Sequence, residues 1–278
     1  MKKLTLVFLI TILQGICVSA QNDQEAAIIK TALDYADGFY SSDAQRFEGA
    51  IHPDFNKVLV YKLPKTGKTF LQYSTVSGLL EYIITNAGFV EKDKRNINVT
   101  VLGVNENIAS VKLTSVFFND FIQLVNFDGK WKIVNVLWSV GHETPNIPPP
   151  VVLDPEVEKS AVEAAINNYY SGIYSSEVEK LEQVIHPEIS IAQLTTMEKT
   201  GKYAISRNGA SFIVELTRAG FMKVPEDKRN LDVEILGFMD EMAFVKATTT
   251  KATSYLQLQL IDLQWTIINV LSKPNMNK

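Results

Sequence analysis

The chain is written twice. GFYSSDAQRFEGAIHPD at 38–54 returns as GIYSSEVEKLEQVIHPE at 172–188, DKRN at 93–96 returns at 227–230, and WKIVNVL at 131–137 returns as WTIINVL at 265–271. All three pairs keep one offset of 134 residues. The total length suits two domains better than one, and the repeat places them at 24–140 and 156–273. Between the copies runs GHETPNIPPPVVLDPE, which holds half of the ten prolines. Residues 141–155 therefore read as a semi-rigid, proline-rich spacer.

Within each copy the hydrophobic period changes once. A first helix is expected from about Glu25 to Tyr40, with Ile29, Ala32, Leu33, Ala36 and Phe39 at helical spacing. A second starts at Ser42, where Ser-x-x-Gln forms a capping box that Ser176 and Glu179 repeat, and Pro53 and Pro187 stop it. A hairpin around Lys-Thr-Gly-Lys follows, then a third helix ending in NAGF or RAGF with glycine at C′. Beyond it NINVTVLGV, IASVKLTSVFF, FIQLVNF and WKIVNVLW alternate with period two, divided by turn residues. That is an antiparallel meander. Helices first and strands later give an α+β class, with helices covering one sheet face.

The hairpin stretch LPKTGKTF, 63–70, ends like a phosphate-binding loop. The full motif needs a first glycine where Lys62 stands. Pro64 removes a backbone donor, and the second copy, EKTGKYA, carries Tyr203 in place of the magnesium-binding hydroxyl. The stretch reads as a turn.

The opening MKKLTLVFLITILQGICVSAQN joins Lys2 and Lys3 to an apolar core and a small-residue cleavage site. It is expected to be an export signal over 1–20, leaving a periplasmic or extracellular protein. Bulky Ile16 argues against a lipid anchor on Cys17, the sole cysteine, and cleavage would remove any cysteine chemistry. There are 27 basic against 31 acidic side chains and no basic cluster, so nucleic acid is not an expected partner. No later apolar stretch is long enough to span a bilayer. No metal-binding spacing occurs, HETPN at 142 breaking the zincin pattern, and no cofactor is expected.

That order of elements, with FYSSD, IHPD and DGKWKIVNVLW in place, resembles the nuclear transport factor 2-like superfamily. It is most similar to its putative lumazine-binding branch, whose domains end in a similar Gly-x-Trp-x-Ile strand. The resemblance covers 24–140 and 156–273. It implies two tandem cone-shaped (cystatin-like) domains, each a curved antiparallel sheet packed on about three helices, with a pocket at the open end. The superfamily contains isomerases, cyclases, dehydratases and non-catalytic binding modules, so fold alone does not supply chemistry.

Several residues recur at equivalent positions and stand as candidates. His52 and His186 read either as bases at the pocket mouth or as caps of a helix C-terminus ended by proline. Asn135 and Asn269 share strand parity with Trp131, Ile133 and Leu137 and with their counterparts. They are expected on the inward face, presenting an amide to a ligand or bonding a helix tyrosine such as Tyr35 or Tyr169. Trp131 and Trp265, with Tyr40 and Tyr174, read first as core and second as ligand platforms. Gln123 and Gln257 fall on the opposite face, where domains of this superfamily pair. Arg95 and Arg229 are expected in surface ion pairs. No carboxylate base is expected inside the cone, whose strand positions read as Val, Leu, Ala and Thr. The expected function is a secreted, non-catalytic tandem module. Its two domains form an internal pseudo-dimer that holds a small apolar or aromatic molecule or a protein partner. The alternative is a dehydratase-, isomerase- or cyclase-like enzyme with His52 or His186 as base.

Overall fold

The computed structural model describes residues 22–63, 65–140 and 154–275. The expected signal, Pro64, and residues 141–153 of the expected spacer with His142 lie outside them.

Domain 1 begins with helix α1 over 22–40 and the short α2, Ala44–Ala50. Strands β1 (Ile51–Lys62) and β2 (Thr69–Ser74), helix α3 (Val76–Ile84), and strands β3 (Asn98–Asn105), β4 (Ile108–Thr114), β5 (Phe118–Phe127) and β6 (Lys130–Val140) follow. Domain 2 repeats the series as α4 (Pro155–Ser175), α5 (Val178–Glu182), β7 (Ile185–Thr196), β8 (Tyr203–Asn208), α6 (Ala210–Arg218), β9 (Asp232–Met239), β10 (Met242–Thr248), β11 (Ala252–Ile261) and β12 (Gln264–Pro274). The sheets run β2-β1-β6-β5-β4-β3 and β8-β7-β12-β11-β10-β9, antiparallel except for the parallel pairs β1–β6 and β7–β12. Two α+β domains of one topology result, as the repeat requires.

Local chemistry departs from the expected boundaries in four places. The second helix is capped by Asp43, whose side chain accepts from the Arg46 amide, because Ser42 takes a left-handed φ of 60°. In domain 2 Ser176 likewise takes φ 61° and closes α4 instead. Helix α2 already ends at Ala50, so His52 and Pro53 belong to β1. Helix α3 stops at Asn86 in the left-handed conformation, the position Gly220 takes after α6. Gly88 is needed elsewhere: a Cβ there would stand 2.4 Å from the Phe39 ring. The Lys-Thr-Gly-Lys stretches are turns, with Gly67 and Gly201 both at φ 67°.

Three cores hold the molecule. One lies under the helices of each domain and is centred on Trp131 or Trp265. The third lies between the two sheets, from Val58, Phe121, Val134 and Leu137 on one side to Leu194, Phe244, Ile268 and Leu271 on the other. Full burial of each such side chain contributes roughly 1.5–3 kcal/mol. Phe121 stacks on Phe244 at 5.2 Å.

Hydrogen bonds across the third core are reciprocal. Gln123 Nε2 donates to the Tyr255 carbonyl at 2.8 Å, and Gln257 Nε2 to the Phe121 carbonyl at 2.7 Å. Glu106 pairs with Lys273, and Asp240 accepts from Ser139 and Asn119. Such exchange is the signature of a two-fold interface, so the repeats form an internal pseudo-dimer. Gln123 and Gln257 stand on the pairing face as expected.

Candidate functional site

Each sheet is bent by register shifts, which curl it around its helices. In domain 1 they fall between Gln123 and Leu124 on β5, Val101 and Gly103 on β3, and Ile51 and Asn56 on β1. The shift on β5 matters most, because it leaves Val134 unopposed on β6 and inverts the alternation beyond it. Trp131 and Ile133 face the helices, while Val134 and Leu137 join the core between the sheets. Asn135 turns with them. Its Nδ2 donates to Gln123 Oε1 at 2.7 Å, and Asn269 does the same to Gln257 at 2.8 Å. Both asparagines, expected in the cone, are therefore part of the fully buried belt that joins the sheets. Asn269 Oδ1 accepts from Asn56, and Asn135 Oδ1 from Arg207, which also grips Asp54 and Ser190.

A cavity of about 400 Å³ opens in domain 1 between α1, α3 and the concave sheet face. Helix α1 supplies Tyr35, Ala36, Phe39 and Tyr40, and α3 supplies Leu79 and Tyr82. Tyr73, Phe118 and Trp138 complete the aromatic wall. At its base stand the two charged residues of the lining, Lys57 of β1 and Asp120 of β5, 3 % and 0 % exposed. Lys57 Nζ donates to Tyr35 Oη at 2.6 Å and to Asp120 Oδ1 at 3.1 Å. It also lies 4.7 Å from the Trp138 ring centroid and 4.9 Å from that of Phe118, a cation held by aromatic faces. The expectation of a cone without a carboxylate is overturned by Asp120.

Burial pushes the Asp120 carboxyl up and the Lys57 amine down, each toward its neutral form, and their mutual attraction opposes both. Burial, then the charge of Asp120, holds the Tyr35 hydroxyl well above its usual range. Tyr40, a cavity wall residue bonded through its hydroxyl to Ser115 at 2.8 Å, is pushed up to about 12 by burial. The phenols thus remain protonated donors or acceptors near neutral pH.

Domain 2 does not repeat this site. Ile191 stands for Lys57, Ser254 for Asp120, Ala252 for Phe118 and Ser272 for Trp138. Tyr170 replaces Ala36, is 9 % exposed and is hydrogen-bonded to Ser254. Helix α4 thus carries a buried phenol at the position where α1 carries a methyl group.

The other candidates lie away from the cavity. His52 stacks on Phe127 at 4.8 Å and accepts the Asp54 amide on Nδ1 at 3.0 Å; His186 accepts the Glu188 amide at 3.1 Å. Neither lines the cavity nor caps a helix, since both sit in strands. Burial lowers both imidazole pKa values, and Arg207 and Lys132 add to the effect at His52. Trp131 and Trp265 lie in the helix-covered cores, and Tyr174 packs against Tyr170 at 5.9 Å. Arg95 is nearly buried and ties β-sheet entry to α1 through Val90 and Asp37, rather than forming a surface pair; Arg229 bonds the Val224 and Tyr174 carbonyls. Among the described residues no group of three or more His, Cys, Asp or Glu is placed to hold a metal, and no helix is long and apolar enough to cross a membrane.

The family model described as putative lumazine-binding matches this chain twice, over 23–139 and 157–271. No curated protein matches it. Among solved structures, an NTF2-like protein of unknown function from Silicibacter pomeroyi is 16 % identical, covering 44 % of this chain and 98 % of its own, with a TM-score of 0.36. A putative dehydratase from the NTF2-like family of Streptomyces avermitilis is 11 % identical over 45 % of this chain and 100 % of its own, TM-score 0.34. An NTF2-like protein from Cytophaga hutchinsonii is 12 % identical over 42 % and 98 %, TM-score 0.32.

Proposed function

Since the chain belongs to the putative lumazine-binding family, with both repeats matched, we propose that it is an exported binding module whose first domain holds one small aromatic molecule. The observation that carries this reading is the cavity itself, walled by aromatic rings and floored by a buried ion pair. Its volume falls within the ordinary range of small-molecule sites, which are mostly apolar with a few placed polar groups. Domain 2 serves as scaffold. Its Tyr170 fills the corresponding place, and its sheet clamps the back of the first through the Gln123–Gln257 belt. The N-terminal segment, read as an export signal, would place the module outside the cytoplasm.

Copying the filler tests the reading. A ligand present at a hundredfold over its Kd stabilises the folded state by roughly 2.7 kcal/mol, which raises the melting temperature by several degrees. Bicyclic aromatic compounds should therefore raise the Tm of the native chain in a thermal-shift assay and leave Ala36→Tyr unmoved. A shift of equal size in Ala36→Tyr would place binding elsewhere.

The buried acid–base pair supports a second reading, an isomerase-, dehydratase- or cyclase-like enzyme in which Asp120, rather than His52 or His186, takes the proton. Turnover of a bound compound that disappears in Asp120→Asn favours it. Recovery of the compound unchanged from the native protein goes against it.

A further inference from the structure

Two residues of the cavity lining each carry a buried polar atom with no answering group among the described residues. Asp120 is fully buried; its carboxylate meets the Lys57 ammonium through Oδ1 and also interacts with the Tyr35 hydroxyl, while Oδ2 has no partner at hydrogen-bond distance among the described residues. The Trp138 Nε1–H is also buried and meets no acceptor. The two residues stand directly opposite each other on β5 and β6, and both line the cavity. One unmet acceptor and one unmet donor thus belong to cross-strand neighbours in a lining rich in aromatic rings. Buried groups left unpaired in this way cost stability and call for a partner.

The second domain shows what the same strand pair does when no ligand is to be held. Ser254 and Ser272 replace Asp120 and Trp138, and their hydroxyls bond each other at 3.1 Å. That pair is self-satisfied, whereas the pair in domain 1 is not. Charge narrows the choice further. Lys57 and Asp120 cancel and are the only charged residues of the lining among the described residues. An anion would face the carboxylate, and a cation the ammonium, with no further counter-charge.

We propose that the cavity selects a neutral aromatic molecule bearing a hydrogen-bond donor beside an acceptor on one ring edge. A phenolic hydroxyl or the N–H and C=O of a cyclic amide would serve. The donor goes to Asp120 Oδ2, the acceptor takes the Trp138 N–H, and the ring lies among Tyr35, Phe39 and Tyr82. The proposal rests on the reading of this cavity as a ligand site.

Calorimetric titration at pH 7 separates the two claims, using naphthol, quinolone, methoxynaphthalene and naphthalene as probes. A site built to hydrogen-bond its ligand discriminates strongly against analogues that lack the group. Naphthol and quinolone should bind the native protein at least about tenfold more tightly than methoxynaphthalene and naphthalene. Trp138→Phe should cut that advantage by about tenfold, read as the ratio of naphthol to naphthalene affinity on the same variant. Asp120→Asn, which keeps an acceptor for Lys57 and turns a donor into the cavity, should abolish the hydroxyl's advantage. If naphthalene binds the native protein and not Ala36→Tyr, yet naphthol gains nothing over it, this inference fails and the pocket assignment stands. If no probe binds the native protein, both fail.

Discussion

Lys57→Ile gives the most direct energetic test of the buried pair, because the second repeat already shows the replacement: Ile191 and Ser254 occupy the equivalent positions. Removing the ammonium leaves the Asp120 carboxylate at 0 % exposure without its only charged partner. Breaking such a pair from one side costs about 3–5 kcal/mol. An independent route gives the same size. The variant can escape only by protonating Asp120, and carrying a carboxyl of ordinary pKa about 3.9 in its neutral form at pH 7 costs about 4 kcal/mol. The sign of the pH dependence follows. A carboxyl whose folded pKa is raised binds more protons folded than unfolded, so stability falls as pH rises above the unfolded pKa. The loss in Lys57→Ile should therefore be near full size at pH 7 and small at pH 4. The double variant Lys57→Ile/Asp120→Ser should return to within about 1 kcal/mol of the native chain, giving a coupling energy of at least about 2 kcal/mol. Urea unfolding followed by circular dichroism at both pH values measures all of this. A single-variant loss below about 1 kcal/mol at pH 7, or additive effects in the double variant, would refute the argument.

Four further outcomes are expected. Gln123→Leu removes the donor to the Tyr255 carbonyl and the acceptor for Asn135, so it should cost about 2–4 kcal/mol in urea unfolding; a loss under about 0.5 kcal/mol would mean the belt does not fasten the sheets. Arg207→Ala removes a positive neighbour that holds the His52 pKa down, so that pKa should rise in an NMR titration. Because burial lowers both imidazole pKa values, folded-state stability should decline as pH falls below about 6.5, and His52→Gln/His186→Gln should flatten that slope. Gly38→Ala should destabilise by about 1–3 kcal/mol, since its Cβ would stand 2.7 Å from the Phe47 amide nitrogen and force α1 from α2.

Fold and pairing face were legible because they depend on many residues at once. A constant offset, a change of period and turn residues survive one misplaced position. What parity could not show was the extra residue at Val134, which carries Asn135 from the cone to the back of the sheet. A bulge leaves little mark on single-strand alternation, and only the pairing partner reveals it. Ser42 and Ser176 misled for a related reason: a left-handed serine next to an acidic residue mimics a cap one position early. The cavity pair did leave a signal. Lys57 and Asp120 are charged residues next to apolar strand runs, at positions where the second copy has Ile191 and Ser254. Divergence between repeats, more than their agreement, marked the site.

The central claim is an asymmetric molecule with one open cavity and one filled from within. Counting bound ligand per chain by native mass spectrometry, with naphthol as probe, tests it most directly. One molecule per native chain and none on Ala36→Tyr is the predicted result. Two per chain, or one retained by Ala36→Tyr, would contradict it.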